Sequence, residues 1–127
     1  MRPRFWIPIV LALLVSCAHR PAINLSESDA GKTITIAPGE TLVIRLASNP
    51  TTGYAWTLVK APEHLELVGG APVYEPPDGA LPGAGGHQSF RLRANTIGRE
   101  TVELRYARAW ERVAASGPPY QVTIEIR

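Results

Sequence analysis

Short runs in which apolar and polar residues alternate, each stopped by glycine or proline, decide what this chain can fold into. In Thr41-Leu42-Val43-Ile44-Arg45-Leu46-Ala47, Leu42, Ile44 and Leu46 share one face and Arg45 the other, because side chains on an extended strand alternate with a period of two. The same pattern appears in Lys32–Ile36, Tyr54–Lys60, Leu65–Val68, Gln88–Ala94, Thr101–Tyr106 and Tyr120–Ile126, with a further short edge segment expected in Ala71–Glu75. Pro38-Gly39, Gly69-Gly70 and the turn at Asn95–Gly98 separate them. No helical period of useful length competes. About seven to eight short strands with turns between them imply an all-β, immunoglobulin-like β-sandwich. The pattern places Trp56 in the core near the centre of that sandwich.

The N-terminus is organised differently. Arg2 and Arg4 precede an apolar run from Phe5 to Val15, too short for a comfortable transmembrane helix, which ends at Leu14-Val15-Ser16-Cys17. That ending resembles the bacterial lipobox. It implies a signal peptide over residues 1–16, lipidation of Cys17, and a flexible tether through residue 31 ahead of a domain spanning residues 32–127. Ala18 after the cysteine favours the outer membrane, facing the periplasm. Of 13 basic residues, Arg2 and Arg4 leave with the signal, so the mature chain carries 11 against 11 acidic ones. A neutral domain without a cluster of Lys and Arg is not a nucleic-acid binder, whatever the whole-chain pI near 9.0 suggests. The single cysteine rules out an internal disulfide, so packing must supply the stability.

Catalytic chemistry finds no footing. His19, His64 and His87 lie in the tether, at a strand start and in a glycine-rich loop, with no spacing that puts two on one metal, and each reads as a solvated surface residue. No serine sits in an elbow motif, and no cofactor is expected. Gly83-Ala84-Gly85-Gly86 lacks the lysine and following helix of a phosphate loop.

Three loops stand out instead. Asn49-Pro50-Thr51-Thr52-Gly53-Tyr54 is a compact turn: Pro50 presets its own φ, Gly53 is free to take a positive φ, and Asn49 can bond the backbone ahead of it. Pro76 to Gly86 holds too many prolines and glycines for a sheet interior. Arg108-Ala109-Trp110-Glu111-Arg112 leaves the strand pattern with an arginine and an aromatic. In a sandwich these loops can share one end. Together, Asn-Pro-Thr-Thr-Gly-Tyr followed by Trp56, a Gly-x-Gly-Gly loop, and Arg-x-Trp-Glu resemble the three signature loops of the chagasin family, protein inhibitors of papain-like cysteine peptidases.

The resemblance implies a monomeric, non-enzymatic inhibitor whose loops form a wedge across a peptidase's active-site cleft. It assigns the contact to Asn49, Pro50, Thr51, Thr52, Gly53 and Tyr54 in the first loop, Gly83, Gly85 and Gly86 in the second, and Arg108 and Trp110 in the third. Compact hydroxyls on a stiff turn, glycines that let backbones approach, and a Trp-Arg pair suit such a contact. Where the family has Arg-Pro-Trp this chain has Ala109, which frees the third loop's backbone. The other reading is an envelope lipoprotein whose sandwich binds a partner that is not a protease.

Overall fold

The computed structural model of the protein describes residue 3 and residues 20–79, 85–110 and 118–127. Among these are nine strands: β1 (Ile23–Leu25), β2 (Thr33–Ile36), β3 (Thr41–Ser48), β4 (Tyr54–Leu58), β5 (Leu65–Leu67), β6 (Val73–Glu75), β7 (Gly86–Ala94), β8 (Gly98–Arg108) and β9 (Tyr120–Ile126). One sheet runs β1-β3-β7-β5, with β6 also paired to β7, and the other runs β2-β9-β8-β4. The all-β sandwich expected from the alternation is what forms.

Its core is the apolar face of each alternating run. Leu42, Ile44 and Leu46 of β3 and Phe90 and Leu92 of β7 face Val102 and Leu104 of β8 and Val122, Ile124 and Ile126 of β9, all at most 3% exposed. Fully burying each such side chain is worth about 1.5–3 kcal/mol, so these strands carry the stability the absent disulfide cannot.

The two sheets are also joined by polar groups. β4 is the outer strand of its sheet, and an outer strand leaves backbone donors and acceptors without a ladder partner. The Trp56 N–H donates to Gln88 Oε1 at 2.9 Å and the Trp56 carbonyl accepts from Gln88 Nε2 at 2.8 Å. Gln88 belongs to β7 in the opposite sheet and is buried. The Trp56 indole N–H reaches the same sheet, donating to the Ala47 carbonyl at 2.9 Å. Trp56 is therefore half-buried at the margin of the core, not at its centre, because its strand is an edge and its ring nitrogen has a backbone partner to meet.

Three other expectations change. The tether ahead of residue 32 holds structure from Ile23 onward: β1 pairs in parallel with β3, Leu25 is in the core, and a 3-10 turn at Glu27–Asp29 follows. Ile23-Asn24-Leu25 does alternate, but over three residues the period is too short to register. Gly86 opens β7 opposite Ser48, and Arg108 closes β8 opposite Tyr54, so both belong to strands that run on into the loops. His64 is engaged rather than solvated, its Nδ1 lying 2.9 Å from Thr96 Oγ1 and its ring against Gly98.

The N-terminal segment is tied in at Tyr120, whose hydroxyl donates to the Ser26 carbonyl at 3.0 Å. Burial first, then the nearby Asp29 and Glu27 carboxylates, push the Tyr120 phenol up to about 12.

Two predictions follow from this packing. Gln88→Leu keeps the volume but removes the amide, and should lower the unfolding free energy in urea by about 2–4 kcal/mol, the cost of leaving two backbone groups without partners. A loss under about 1 kcal/mol would mean that water replaces the amide. For Tyr120 the folded protein holds its proton above the unfolded value of about 10, so stability is full below that pH and falls as pH rises toward 12. Unfolding titrations across that window should show this fall in the parent, and a shallower one in Tyr120→Phe.

Candidate peptidase-binding loops

The ends of paired strands decide where the loops lie. Ser48 is opposite Gly86, and Tyr54 is opposite Arg108. The connections leaving β3, entering β7 and leaving β8 therefore emerge at the same end of the sandwich. The chain enters β1 at the other end, since Ile23 pairs with Leu42 near the start of β3.

The first loop is a single 3-10 turn, Pro50–Thr52, capped by Asn49 and closed by Gly53. Asn49 organises it. Its side-chain oxygen accepts the Thr51 N–H at 3.2 Å and the Thr51 hydroxyl at 2.6 Å. Its carbonyl accepts the Thr52 N–H at 3.2 Å and the Thr52 hydroxyl at 2.7 Å. Asn is a favoured cap for this reason, and Pro50 at the first position supplies a fixed φ without a donor to satisfy. Gly53 adopts φ +80°, a left-handed conformation that side chains other than glycine rarely take. Pro50, Thr51, Thr52 and Gly53 are all exposed. The threonine hydroxyls are thus committed to the turn itself.

The third loop leans on the first. Along the facing sides of β4 and β8, Leu58 pairs with Leu104, Trp56 with Tyr106, and Tyr54 with Arg108. These pairs lie on one face at two-residue steps, so the core continues upward as an aromatic ladder. The Tyr106 ring centroid lies 5.1 Å from that of Trp56 and 5.4 Å from that of Tyr54. The Arg108 guanidinium sits 4.6 Å from the Tyr54 ring centroid and 5.8 Å from that of Trp110, and Arg108 Nε donates to the Thr52 carbonyl at 3.3 Å. Trp110 is 71% exposed, yet its ring edge would lie 3.1 Å from a Cβ added at Gly53. Gly53 is therefore glycine twice over, for its φ and for the tryptophan against it.

The second loop is described only at its base. Gly86 is buried, and a Cβ there would collide with the Glu75 carbonyl of β6. Glu75 is fixed in turn by Arg45, whose Nε is 2.7 Å from its carboxylate and holds that carboxylate below its usual pKa. Gly85 is exposed and faces the base of the first loop, a Cβ there standing 3.5 Å from Asn49 Cβ. Ala47, Asn49, Gly85, His87 and Tyr106 line a shallow groove of about 320 Å³ between the two loops. Gly83 and Glu111 lie outside the described residues, as does Cys17.

Of the residues singled out from the sequence, Asn49 through Tyr54, Gly85, Gly86, Arg108 and Trp110 come together at this end. Tyr106 and Gln88 were missed. Tyr106 stands two residues before Arg108 in an alternating strand, hence on the same face, and that spacing was the available signal. Gln88 falls at two-residue steps from Phe90 and Leu92, so the signal for it was a polar side chain on the core face. Among the described residues no three metal-ligating side chains gather, and no helix is long and apolar enough to cross a membrane.

Residues 35–126 match the sequence model of the family described as Chagasin family peptidase inhibitor I42. Chagasin from Trypanosoma cruzi is 37% identical over 90 residues, 68% of this chain and 82% of that one. The solution structure of Amebosin superposes with a TM-score of 0.71 at 28% identity, covering 85% of this chain and 100% of the other. The crystal structure of the cysteine protease inhibitor EhICP2 from Entamoeba histolytica gives 0.69 at 23% identity over 84% and 95%, a likeness of fold.

Gly53→Ala tests the geometry directly. It strains a left-handed residue and crowds Trp110, and should cost about 1–2 kcal/mol in thermal unfolding. It should also raise the fluorescence mobility of Trp110. A variant as stable as the parent would show that the turn has another conformation open to it.

Proposed function

The chain belongs to the chagasin family of peptidase inhibitors, and from that membership and its loop geometry we propose that it blocks papain-like cysteine peptidases reversibly, without covalent reaction. The proteins it resembles are peptidase inhibitors, not enzymes. The observation that carries the reading is an exposed turn whose threonine hydroxyls are bonded back to Asn49 and whose flank is held by Arg108 and Trp110. A turn already in its bound shape loses little entropy on docking.

Pro50–Gly53 is the tip of the wedge. Its 3-10 turn and left-handed Gly53 keep the backbone from lying extended, so no peptide bond is presented at the geometry attack requires. It fills the cleft over the nucleophile and leaves uncut. Gly85 and Gly86, with Gly83, let the second loop's backbone approach the enzyme closely. Trp110, with Arg108 beneath it, presents the residue types that dominate interface energetics. A contact of the usual extent buries about 1,600 Å² in total.

The proposal extends to the N-terminus. Cys17 is lipidated after removal of residues 1–16 and holds the domain at a bacterial envelope membrane, the outer one by the logic of Ala18. Two features support this placement. β1 begins at the end opposite the loops, and Arg20 is paired there with Glu40 at 2.8 Å. Five residues separate Cys17 from Ile23, a reach of about 20 Å when fully extended. The domain would stand close to the lipid with its wedge turned away from it.

Titration against papain and a cathepsin-L-like enzyme should give active-site-competitive inhibition that a serine peptidase does not show. Replacing Thr51 and Thr52 with lysine should raise the inhibition constant at least about 100-fold, and Trp110→Ala about 30-fold, with the thermal midpoint retained. Unchanged constants would sink the wedge, whereas no inhibition by the folded parent would favour an envelope module with a non-protease partner. For the anchor, Cys17→Ser should move the protein from the membrane to the soluble fraction on cell fractionation.

A further inference from the structure

We propose that Tyr106 is a positioning residue for the inhibitory turn, setting the direction in which Pro50–Gly53 leaves β3. The inference rests on the reading of that turn as the peptidase-binding element. Asn49 is the first residue past the paired part of β3, and everything in the turn is built on it: Thr51 and Thr52 both bond back to its side chain or carbonyl. What fixes Asn49 therefore fixes the tip. Its N–H donates to the Tyr106 hydroxyl at 3.0 Å.

Tyr106 suits that task because it is itself packed on both sides. It lies in β8 opposite Trp56, with its ring packed between Trp56 and Tyr54. The hydroxyl crosses from one sheet to the first residue beyond the other, a reach that phenylalanine lacks. Arg108, two residues on, holds the far side of the turn through the Thr52 carbonyl. One strand thus grips the first loop at both ends, and the first and third loops keep a constant spacing. Tyr106 is only partly exposed at the base of the groove and contributes geometry, not contact area, to the complex.

The test is Tyr106→Phe in the full chain, which keeps the stacked ring and removes the acceptor. Binding to papain should weaken about 3–10-fold, the equivalent of one net hydrogen bond. Amide hydrogen exchange of Asn49, Thr51, Thr52 and Gly53 should quicken by a similar factor, with β7 and β9 unchanged. Thr96→Val, which removes the His64 contact at the opposite end, is the control for general destabilisation and should leave both unchanged. Unaltered affinity and exchange in Tyr106→Phe would overturn the proposal, and so would equal weakening by Thr96→Val. The exchange measurement needs no peptidase: faster exchange in a chain that inhibits nothing would uphold the positioning role and defeat the inhibitor reading.

Discussion

The backbone of Trp56 is the point on which the loop end depends. As part of an outer strand it has open hydrogen-bonding capacity, and a buried or half-buried backbone group without a partner costs about 1–3 kcal/mol. Gln88 meets the Trp56 N–H and the Trp56 carbonyl at once from the opposite sheet, so the Trp56 backbone becomes a crosslink between layers where the apolar core thins out. Ser48 adds its hydroxyl to the same amide oxygen at 3.3 Å. Ser48 is the last residue of β3 and Trp56 lies three beyond Gly53, so this one side chain fixes both feet of the first loop. Were the feet independent, an ordered turn would still swing as a unit. Its internal hydrogen bonds would then stabilise a shape without aiming it.

Rigidity in the third loop has a different source. The family's proline is absent here, and Ala109 leaves the backbone free to sample more conformations in the unfolded chain. Arg108 compensates through contacts: stacking on Tyr54, proximity to Trp110, and a bond to Thr52. Cation–π pairs at exposed sites are each worth about 0.5–1 kcal/mol, comparable with the 0.4–1 kcal/mol attributed to a well-placed proline. The two devices differ in one respect. A proline stiffens the loop alone, whereas Arg108 ties it to its neighbour, so the pair moves together or not at all.

The sequence revealed what repeats and what is punctuated. Alternation over five to eight residues placed the longer strands, because a period of two needs several turns of the pattern to rise above chance. Ile23-Asn24-Leu25 gave only one repeat and was absorbed into a tether, although Leu25 is 4% exposed in the core. Asn49, Pro50 and Gly53 were legible as a turn because each has a local backbone reason to be there. Trp56 was placed too deep, since alternation reports which face a residue occupies but not whether its strand is central or at an edge. Alternation puts Gln88 and Tyr106 on the inward faces of their strands but does not say what they meet, for a related reason. Both act across the sandwich, between positions 32 and 57 residues apart in sequence, where no local pattern reaches.

The N-terminal segment does more than lead into the domain. It climbs the outer edge of the first sheet as β1, turns at Ser26 and Glu27, and descends as β2 on the outer edge of the second. At the top of that path Glu27 Oε1 accepts the Ala47 N–H at 2.6 Å, one residue before Ser48 and two before Asn49. Each sheet thereby has one outer edge covered, and the strand that delivers the first loop is held from both sides, by β1 and by β7. A domain cut at residue 32 would strip Leu25 from the core and bare the β3 edge from Leu42 to Ile44, where the first sheet is most apolar. The loop end and the N-terminal entry are at opposite poles of the sandwich, yet they are joined by a single continuous strand pair. A form trimmed to the obvious alternation would keep the loop residues and lose part of what holds them in place.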